Sequence, residues 1–224
     1  MSLRAIDSKY SKIKICNKIN TLLIIIVILS CPLLSVGQNR NEYSNCKDIV
    51  IGDIIVDNDL HSAFFNISES SYPWYIIPND DGTFENVLGK EITKEDTIPI
   101  EHTSNCISTH QGVHEMLLCD AVLRSHGHLQ LVIHGGFPAY AGSLMIQIEH
   151  STFKCFFHAV YPAPVSDLKW IILSKEMKVK SNDFQKGERI YAWISVEFEE
   201  TGTYRGKTTN DKYKIQGFLK PIIK

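Results

Sequence analysis

The sequence has no excess of basic residues and no lysine- or arginine-rich cluster. Its 224 residues carry 23 lysines and arginines against 25 aspartates and glutamates, a formal net charge of −2. Binding to the phosphates of a nucleic acid or to an anionic lipid surface depends on a surplus of positive charge. The composition therefore excludes nucleic-acid binding as a leading function.

The short motifs of common enzyme and metal sites are also missing. There is no G-x-S-x-G, and no two cysteines have the C-x-x-C spacing of a zinc ribbon or a thioredoxin-type site. H-E-x-x-H fails because Leu118 stands in place of the second histidine, and the inverted H-x-x-E-H fails because Val113 stands in place of glutamate. These absences leave no catalytic residue and no cofactor to predict from a motif.

Residues 1–37 show the order of features found in a secretory signal peptide. Five basic residues and one acidic residue come first, an apolar run from Leu22 to Leu29 follows, and the small residues Ser35 and Gly37 precede Gln38. We predict a signal peptide over residues 1–37 and a periplasmic or secreted mature chain. This N-terminus resembles that of exported proteins of Gram-negative bacteria whose mature chains begin with glutamine, and the resemblance covers only the targeting segment.

Two alternatives would keep the protein at a membrane. Residues 21–36 offer sixteen positions interrupted by Cys31 and Pro32, whereas an uncleaved anchor needs about 20 apolar residues to cross the bilayer. Cys31 also follows a sequence that loosely resembles a bacterial lipobox, so its lipidation is the second alternative. In both cases membrane contact is confined to the N-terminus.

Removal of residues 1–37 leaves 18 basic and 24 acidic side chains, a net charge of −6, and four cysteines. An even number of cysteines in an oxidising compartment is typical of disulfides, and the sequence leaves three connectivities open. We predict a disulfide between Cys46 and Cys106 and another between Cys119 and Cys155. The alternative is buried free thiols.

Polar and apolar residues alternate through most of the second half of the chain. This period of two predicts strands over residues 128–134, 144–149, 153–159, 170–180, 188–199 and 213–219. Strands with one apolar and one mixed face, separated by turn residues, are typical of an antiparallel β-sandwich. We predict such a sandwich, Ig-like or jelly-roll-like, over residues 126–224.

The region of residues 38–125 is less regular. Short strands are predicted over residues 48–56, 61–67, 74–77 and 98–101. A helix is predicted over residues 109–124, where Val113, Met116, Leu117 and Ala121 form an apolar stripe. Residues 83–103 form a connection longer than is usual in a compact domain, which indicates a functional loop or an unrecognised element. This mixed β/loop region with one helix is predicted either as a separate domain or as part of one domain with residues 126–224.

Histidines are concentrated in residues 102–134, which hold six of the nine. On the predicted helix, His110 and His114 lie one turn apart, a spacing at which two imidazoles can share a metal ion. Glu115 and His128 are further candidate ligands. Such a site, with water in an open coordination position, is suited to hydrolysis dependent on zinc or another divalent metal.

The sequence therefore supports two functions of different class. The first is an exported, non-enzymatic β-rich module that binds a protein or a glycan at the cell envelope, and the second is a metal-dependent hydrolase that uses residues 102–134. Six aromatic residues are candidates for a glycan-stacking surface or for core positions: Tyr72, Trp74, Tyr75, Trp170, Tyr191 and Trp193.

Overall fold

The computed structural model describes residues 42–60, 69–136 and 140–224. The predicted signal peptide and the predicted strand over residues 61–67 lie outside the described residues. From residue 42 onward the described residues belong to one compact unit.

The described chain is mainly β, as the period-two alternation predicts. Its only helices are two 3₁₀ turns, Glu95–Thr97 and Ser125–Gly127. The fifteen strands of the described residues are β1 (Cys46–Asp48), β2 (Gly52–Val56), β3 (Ser70–Ser71), β4 (Ile76–Pro78), β5 (Phe84–Asn86), β6 (Ile100–Glu101), β7 (Cys106–Ser108), β8 (His114–Met116), β9 (Leu118–Leu123), β10 (Leu129–His134), β11 (Gly142–Glu149), β12 (Thr152–Ala159), β13 (Ser166–Val179), β14 (Ala192–Tyr204) and β15 (Lys207–Leu219). The six strands predicted in the second half correspond to β10 to β15.

Eleven strands form one nearly closed sheet. Its order is β8-β7-β15-β14-β13-β2-β12-β11-β10-β9, and β1 pairs in parallel with β13. The two ends of this order, β8 and β9, are separated in the sequence only by Leu117. Strands from both halves of the chain share the sheet, since β7 pairs with β15 and β9 pairs with β10.

The core forms where the alternating apolar residues of the sheet meet. On β14, the side chains of Ala192, Ile194, Val196 and Phe198 are fully buried. Phe198 stacks on Phe157 of β12 with ring centroids 4.3 Å apart, although these two strands are not neighbours in the sheet. Burial of each large apolar side chain contributes about 1.5–3 kcal/mol, which makes this shared core the main stabilising element.

The predicted helix over residues 109–124 is wrong. The chain makes a β7–β8 hairpin and continues into β9. Gln111 and Gly112 have φ angles of 58° and 130°, which reverse the chain where the helix was expected to begin. Val113, which the apolar stripe placed in the core, is 78% exposed. Met116 and Ala121 are buried as strand residues, so the three- and four-residue spacing came from two short strands that follow each other.

Two further two-stranded sheets, β3–β6 and β4–β5, lie outside the main sheet. Both belong to residues 69–102, which we call the small-sheet segment. Within the described residues, no helix has the length and apolar character needed to span a bilayer.

Candidate functional site

A buried polar network is centred on Glu200 and His110. Glu200 Oε2 lies 2.8 Å from His110 Nε2 and accepts a hydrogen bond of 2.7 Å from Trp170 Nε1. The same oxygen accepts a hydrogen bond from the Tyr161 hydroxyl. Because His110 and Trp170 are each 1% exposed, this carboxylate is held inside the protein.

The network continues on the other side of the His110 ring. His110 Nδ1 lies 3.1 Å from the Tyr140 hydroxyl, which lies 3.0 Å from Ser108 Oγ. Ser108 Oγ also accepts the backbone N–H of His110 at 3.2 Å. Ser108 is on β7 and Glu200 is on β14, so the chain of hydrogen bonds connects two strands of the main sheet that are separated by β15.

The network keeps Glu200 ionised and its tyrosines protonated. Burial opposes ionisation of Glu200, but the hydrogen bonds from His110, Tyr161 and Trp170 outweigh it and lower the pKa of the carboxyl group. Burial is the main cause that raises the pKa of the Tyr140 and Tyr161 hydroxyls. The Tyr161 hydroxyl therefore donates to the buried Glu200 carboxylate, whereas the Tyr140 hydroxyl contacts His110 and Ser108.

The network superficially resembles the serine–histidine–carboxylate arrangement of nucleophilic catalysis, because its hydrogen bonds run in the order Ser108, Tyr140, His110, Glu200. A nucleophile must reach a substrate, however, and Ser108 is completely buried while His110 is 1% exposed. The His110 ring is also enclosed by aromatic neighbours, with ring centroids 5.0 Å from Phe157 and 4.8 Å from Tyr213. The arrangement suits a structural role in which hydrogen bonds fix strands to one another.

The predicted metal ligands are not brought together. His110 lies in the buried network, whereas the His114 ring stacks on Tyr140 at 4.4 Å. Glu115 is exposed, and His128 Nδ1 lies 3.8 Å from Glu149 Oε1 at the surface. Successive residues of a strand point to opposite faces, so β8 directs His114 and Glu115 apart. Within residues 42–60, 69–136 and 140–224, no group of three or more histidine, cysteine, aspartate or glutamate side chains is placed to hold a metal ion.

The four described cysteines are free and buried, so the predicted disulfides are not formed. The thiols that influence each other's pKa also differ from the predicted pairing of Cys46 with Cys106 and Cys119 with Cys155. Cys46 Sγ accepts a hydrogen bond from the backbone of Phe157 on β12, the strand that carries Cys155. The Cys119 N–H donates to Thr103 Oγ1 at 2.7 Å, and burial with the nearby Cys106 thiol raises the pKa of Cys119. The neighbouring thiols are thus Cys46 with Cys155 and Cys106 with Cys119.

The small-sheet segment carries an exposed apolar surface. Five of its large apolar side chains are between 40% and 57% exposed: Trp74, Ile77, Val87, Ile98 and Ile100. Its only buried residues are Ile76 and His102. The segment therefore contributes little to the core and presents apolar area to solvent.

Hydrogen bonds hold this segment in a defined shape. Asp96 accepts the Tyr75 hydroxyl at 2.9 Å and the backbone N–H of Thr93 at 2.8 Å. At the base, Glu101 lies 3.0 Å from Arg189 and 3.4 Å from Lys220, both of which lie outside the segment. His102 Nε2 lies 3.0 Å from Ser71 Oγ. These contacts order a segment that the sequence presents only as a long connection.

The six aromatic residues considered for glycan stacking do not share one surface. Tyr72, Trp74 and Tyr75 belong to the small-sheet segment, and Trp170 is in the core. Trp193 lies under the Lys178 ammonium at 5.6 Å from the ring centroid, and Tyr191 lies under Lys180 at the same distance.

The sequence interpretation overlooked Glu200, although a signal for it existed. The inward-facing positions of β14 are the even-numbered residues, and the same parity continues to Glu200. A carboxylate at an inward position needs buried donors, and here Trp170, Tyr161 and His110 supply them.

Comparison with known proteins found no matching family model, no similar curated protein and no similar solved structure.

Proposed function

We propose that this protein is an exported, non-enzymatic β-rich module that binds a protein or a glycan at the cell envelope, and that the small-sheet segment is its contact surface. The observation that carries the proposal is the set of exposed apolar side chains on an ordered segment outside the core. Several large apolar side chains exposed on one ordered segment make that segment a candidate interaction site. Binding residues are also often found on connections that a rigid scaffold positions.

Export is supported by the signal-peptide pattern of residues 1–37. We further propose that the nearly closed sheet is a β-sandwich, a view supported by the Phe157–Phe198 contact between strands that are not paired. The alternative of a hydrolase dependent on zinc or another divalent metal has no comparable support, because its candidate ligands are dispersed.

Two side chains, Trp74 and Ile98, are the ones that we expect to contribute most to binding. Trp74 is 45% exposed and packs edge-on against Tyr75, while Ile98 is 57% exposed directly after the 3₁₀ turn Glu95–Thr97. Truncation costs about 2 kcal/mol or more at the few residues that dominate an interface, and tryptophan is enriched among them. Each 1.4 kcal/mol corresponds to about a tenfold change in affinity.

The test is co-sedimentation of the protein with an envelope fraction from the source cell. The double variant Trp74→Ala/Ile98→Ser is expected to bind at least about tenfold more weakly than the natural protein. Val113→Ser is the matched control, since it removes an exposed apolar side chain outside the segment. Equal binding of the double variant would contradict the proposed surface. Prior treatment of the fraction with protease or with glycan hydrolases distinguishes a protein partner from a glycan.

A further inference from the structure

We propose that Lys175 on β13 and Asp48 on β1 become joined by a covalent amide bond, an intramolecular crosslink between the two strands. The Lys175 side chain is 0% exposed and that of Asp48 is 3% exposed, and Nζ is in direct contact with Oδ2. An ammonium and a carboxylate removed from water in this way cost several kcal/mol of desolvation per ion, which amide formation relieves because it removes both charges.

The backbone directs Lys175 toward Asp48. A register shift between Ile172 and Ser174 interrupts the pairing of β13 with β14. Before this shift the even-numbered residues Trp170 and Ile172 are buried, whereas after it the odd-numbered Met177 and Val179 are buried. The irregularity therefore turns Lys175 from the outer face to the inner one, a recognised effect of a β-bulge.

Gly52 leaves room for the lysine side chain. A Cβ atom at this position would lie 2.4 Å from Cε of Lys175 and 2.7 Å from the Phe153 ring. Any larger residue would displace the lysine from its path between the strands. Nζ lies 4.9 Å from the centroid of the Phe153 ring, which closes the site on that side.

Two backbone groups hold the reacting atoms in place. The N–H of Cys155 donates to Asp48 Oδ2 at 2.8 Å and so fixes the carboxyl group beside Lys175 Nζ. The carbonyl oxygen of Phe153 accepts a hydrogen bond from Lys175 Nζ at 2.7 Å, which orients the nitrogen. Reacting groups held in contact by the fold react far faster than the same groups free in solution.

The reaction balances without an oxidant or a further reactant. Lys175 first transfers a proton to Asp48, which gives a neutral amine and a carboxylic acid. The nitrogen lone pair then attacks Cγ of Asp48, and a C–N bond forms. The hydroxyl leaves with a proton from the nitrogen as one water molecule, and a C–O bond breaks. The product is a neutral amide between the two side chains.

Intact-mass spectrometry of the folded protein tests this inference. The measured mass is expected to be lower than the mass of its own peptide chain by one water molecule, and digestion is expected to release a branched peptide that contains residues 48 and 175. Asp48→Ala and Lys175→Met are expected to show no loss of water. Lys178→Met is the matched control and should retain the loss, because Lys178 forms an exposed ion pair with Glu176.

The experiment does not depend on the folding of the variants, since the peptide map of the natural protein is decisive. Protein recovered unfolded from inclusion bodies should have the full mass and should lose water only after refolding. Full mass and two linear peptides, after prolonged incubation of the folded protein at neutral pH, would overturn the inference. That result would leave an ordinary buried ion pair between the two strands.

Discussion

Glu200→Gln is the substitution that most directly tests the structural role of the buried network. Glutamine keeps the size of the side chain but removes its charge, and it places an amide N–H₂ among groups that are themselves donors. Glu200 Oε2 faces Trp170 Nε1 at 2.7 Å and His110 Nε2 at 2.8 Å, and its side chain is 10% exposed. At least one donor of the network is therefore left without its acceptor.

The expected loss of stability is large. A buried donor left without its acceptor costs about 1–3 kcal/mol, and hydrogen bonds to charged groups lie at the upper end of the range. Because the acceptor lost here is a carboxylate, we expect a loss of about 3 kcal/mol. For a chain of this size, about 2–4 °C of melting temperature is lost per kcal/mol, so Tm should fall by about 6–12 °C.

Urea unfolding followed by tryptophan fluorescence measures this change, since Trp170 is itself a member of the network. Glu115→Gln is the matched control because it removes the same charge at an exposed position, and it should change the free energy of unfolding by no more than about 0.5 kcal/mol. A change below about 1 kcal/mol for Glu200→Gln would refute a stabilising role for the network.

Four further outcomes are expected. The pKa of Glu200 is lower in the folded protein than in the unfolded chain. The contribution of its carboxylate to the free energy of unfolding is therefore complete above about pH 4.3 and is lost as the pH falls through the folded pKa. The difference in stability between the natural protein and Glu200→Gln should accordingly shrink in acid. Burial raises the pKa of Cys46 to about 11 and that of Cys106 to about 12. A thiol reagent at about pH 8 should therefore leave the four buried cysteines of the native protein unmodified and should modify all four once the unreduced chain is unfolded. Gly217→Ala should destabilise the fold by about 2 kcal/mol or more in thermal unfolding, because the new Cβ would lie 2.5 Å from the Cys106 backbone; Gly136→Ala, with its nearest neighbour at 4.0 Å, should be close to neutral. Elemental analysis after dialysis against a weak chelator should show no near-stoichiometric zinc, iron or manganese, and a retained ion would favour the hydrolase.

The strands of the second half could be predicted because a single physical pattern determines them. Inward residues such as Ile194 and Ile146 must be apolar for the sheet to bury its inner face, and the alternation records this requirement locally. Strand boundaries were less well predicted. Residues 48–56 were expected to form one strand, but β1 and β2 are separate strands that pair with different parts of β13.

The helix was predicted wrongly because strands this short contain too few residues to show a clear period of two. With only three residues in β8 and six in β9, a change of strand at Leu117 reproduces helical spacing by chance. Tertiary pairing with β7 and β10 determines the structure of these residues. No local pattern identifies those partners.

The candidate site, too, could be predicted from the sequence only in part. Clustering in the sequence drew attention to His110, which does lie in a polar network, but its partner Glu200 is 90 residues away. The pairing depends on the order of the strands in the sheet, which a single sequence does not specify. Likewise, the long connection over residues 83–103 could be recognised as unusual, but its small sheets and exposed apolar side chains became visible only in three dimensions.

The most direct test of the proposed binding surface is hydrogen–deuterium exchange of the protein, free and bound to the envelope fraction. The proposed function predicts that binding slows exchange in residues 69–102, chiefly around Trp74 and Ile98, and leaves exchange in the β7–β8 hairpin unchanged. Protection confined to other parts of the chain, with residues 69–102 unaffected, would contradict the assignment of the small-sheet segment as the contact surface.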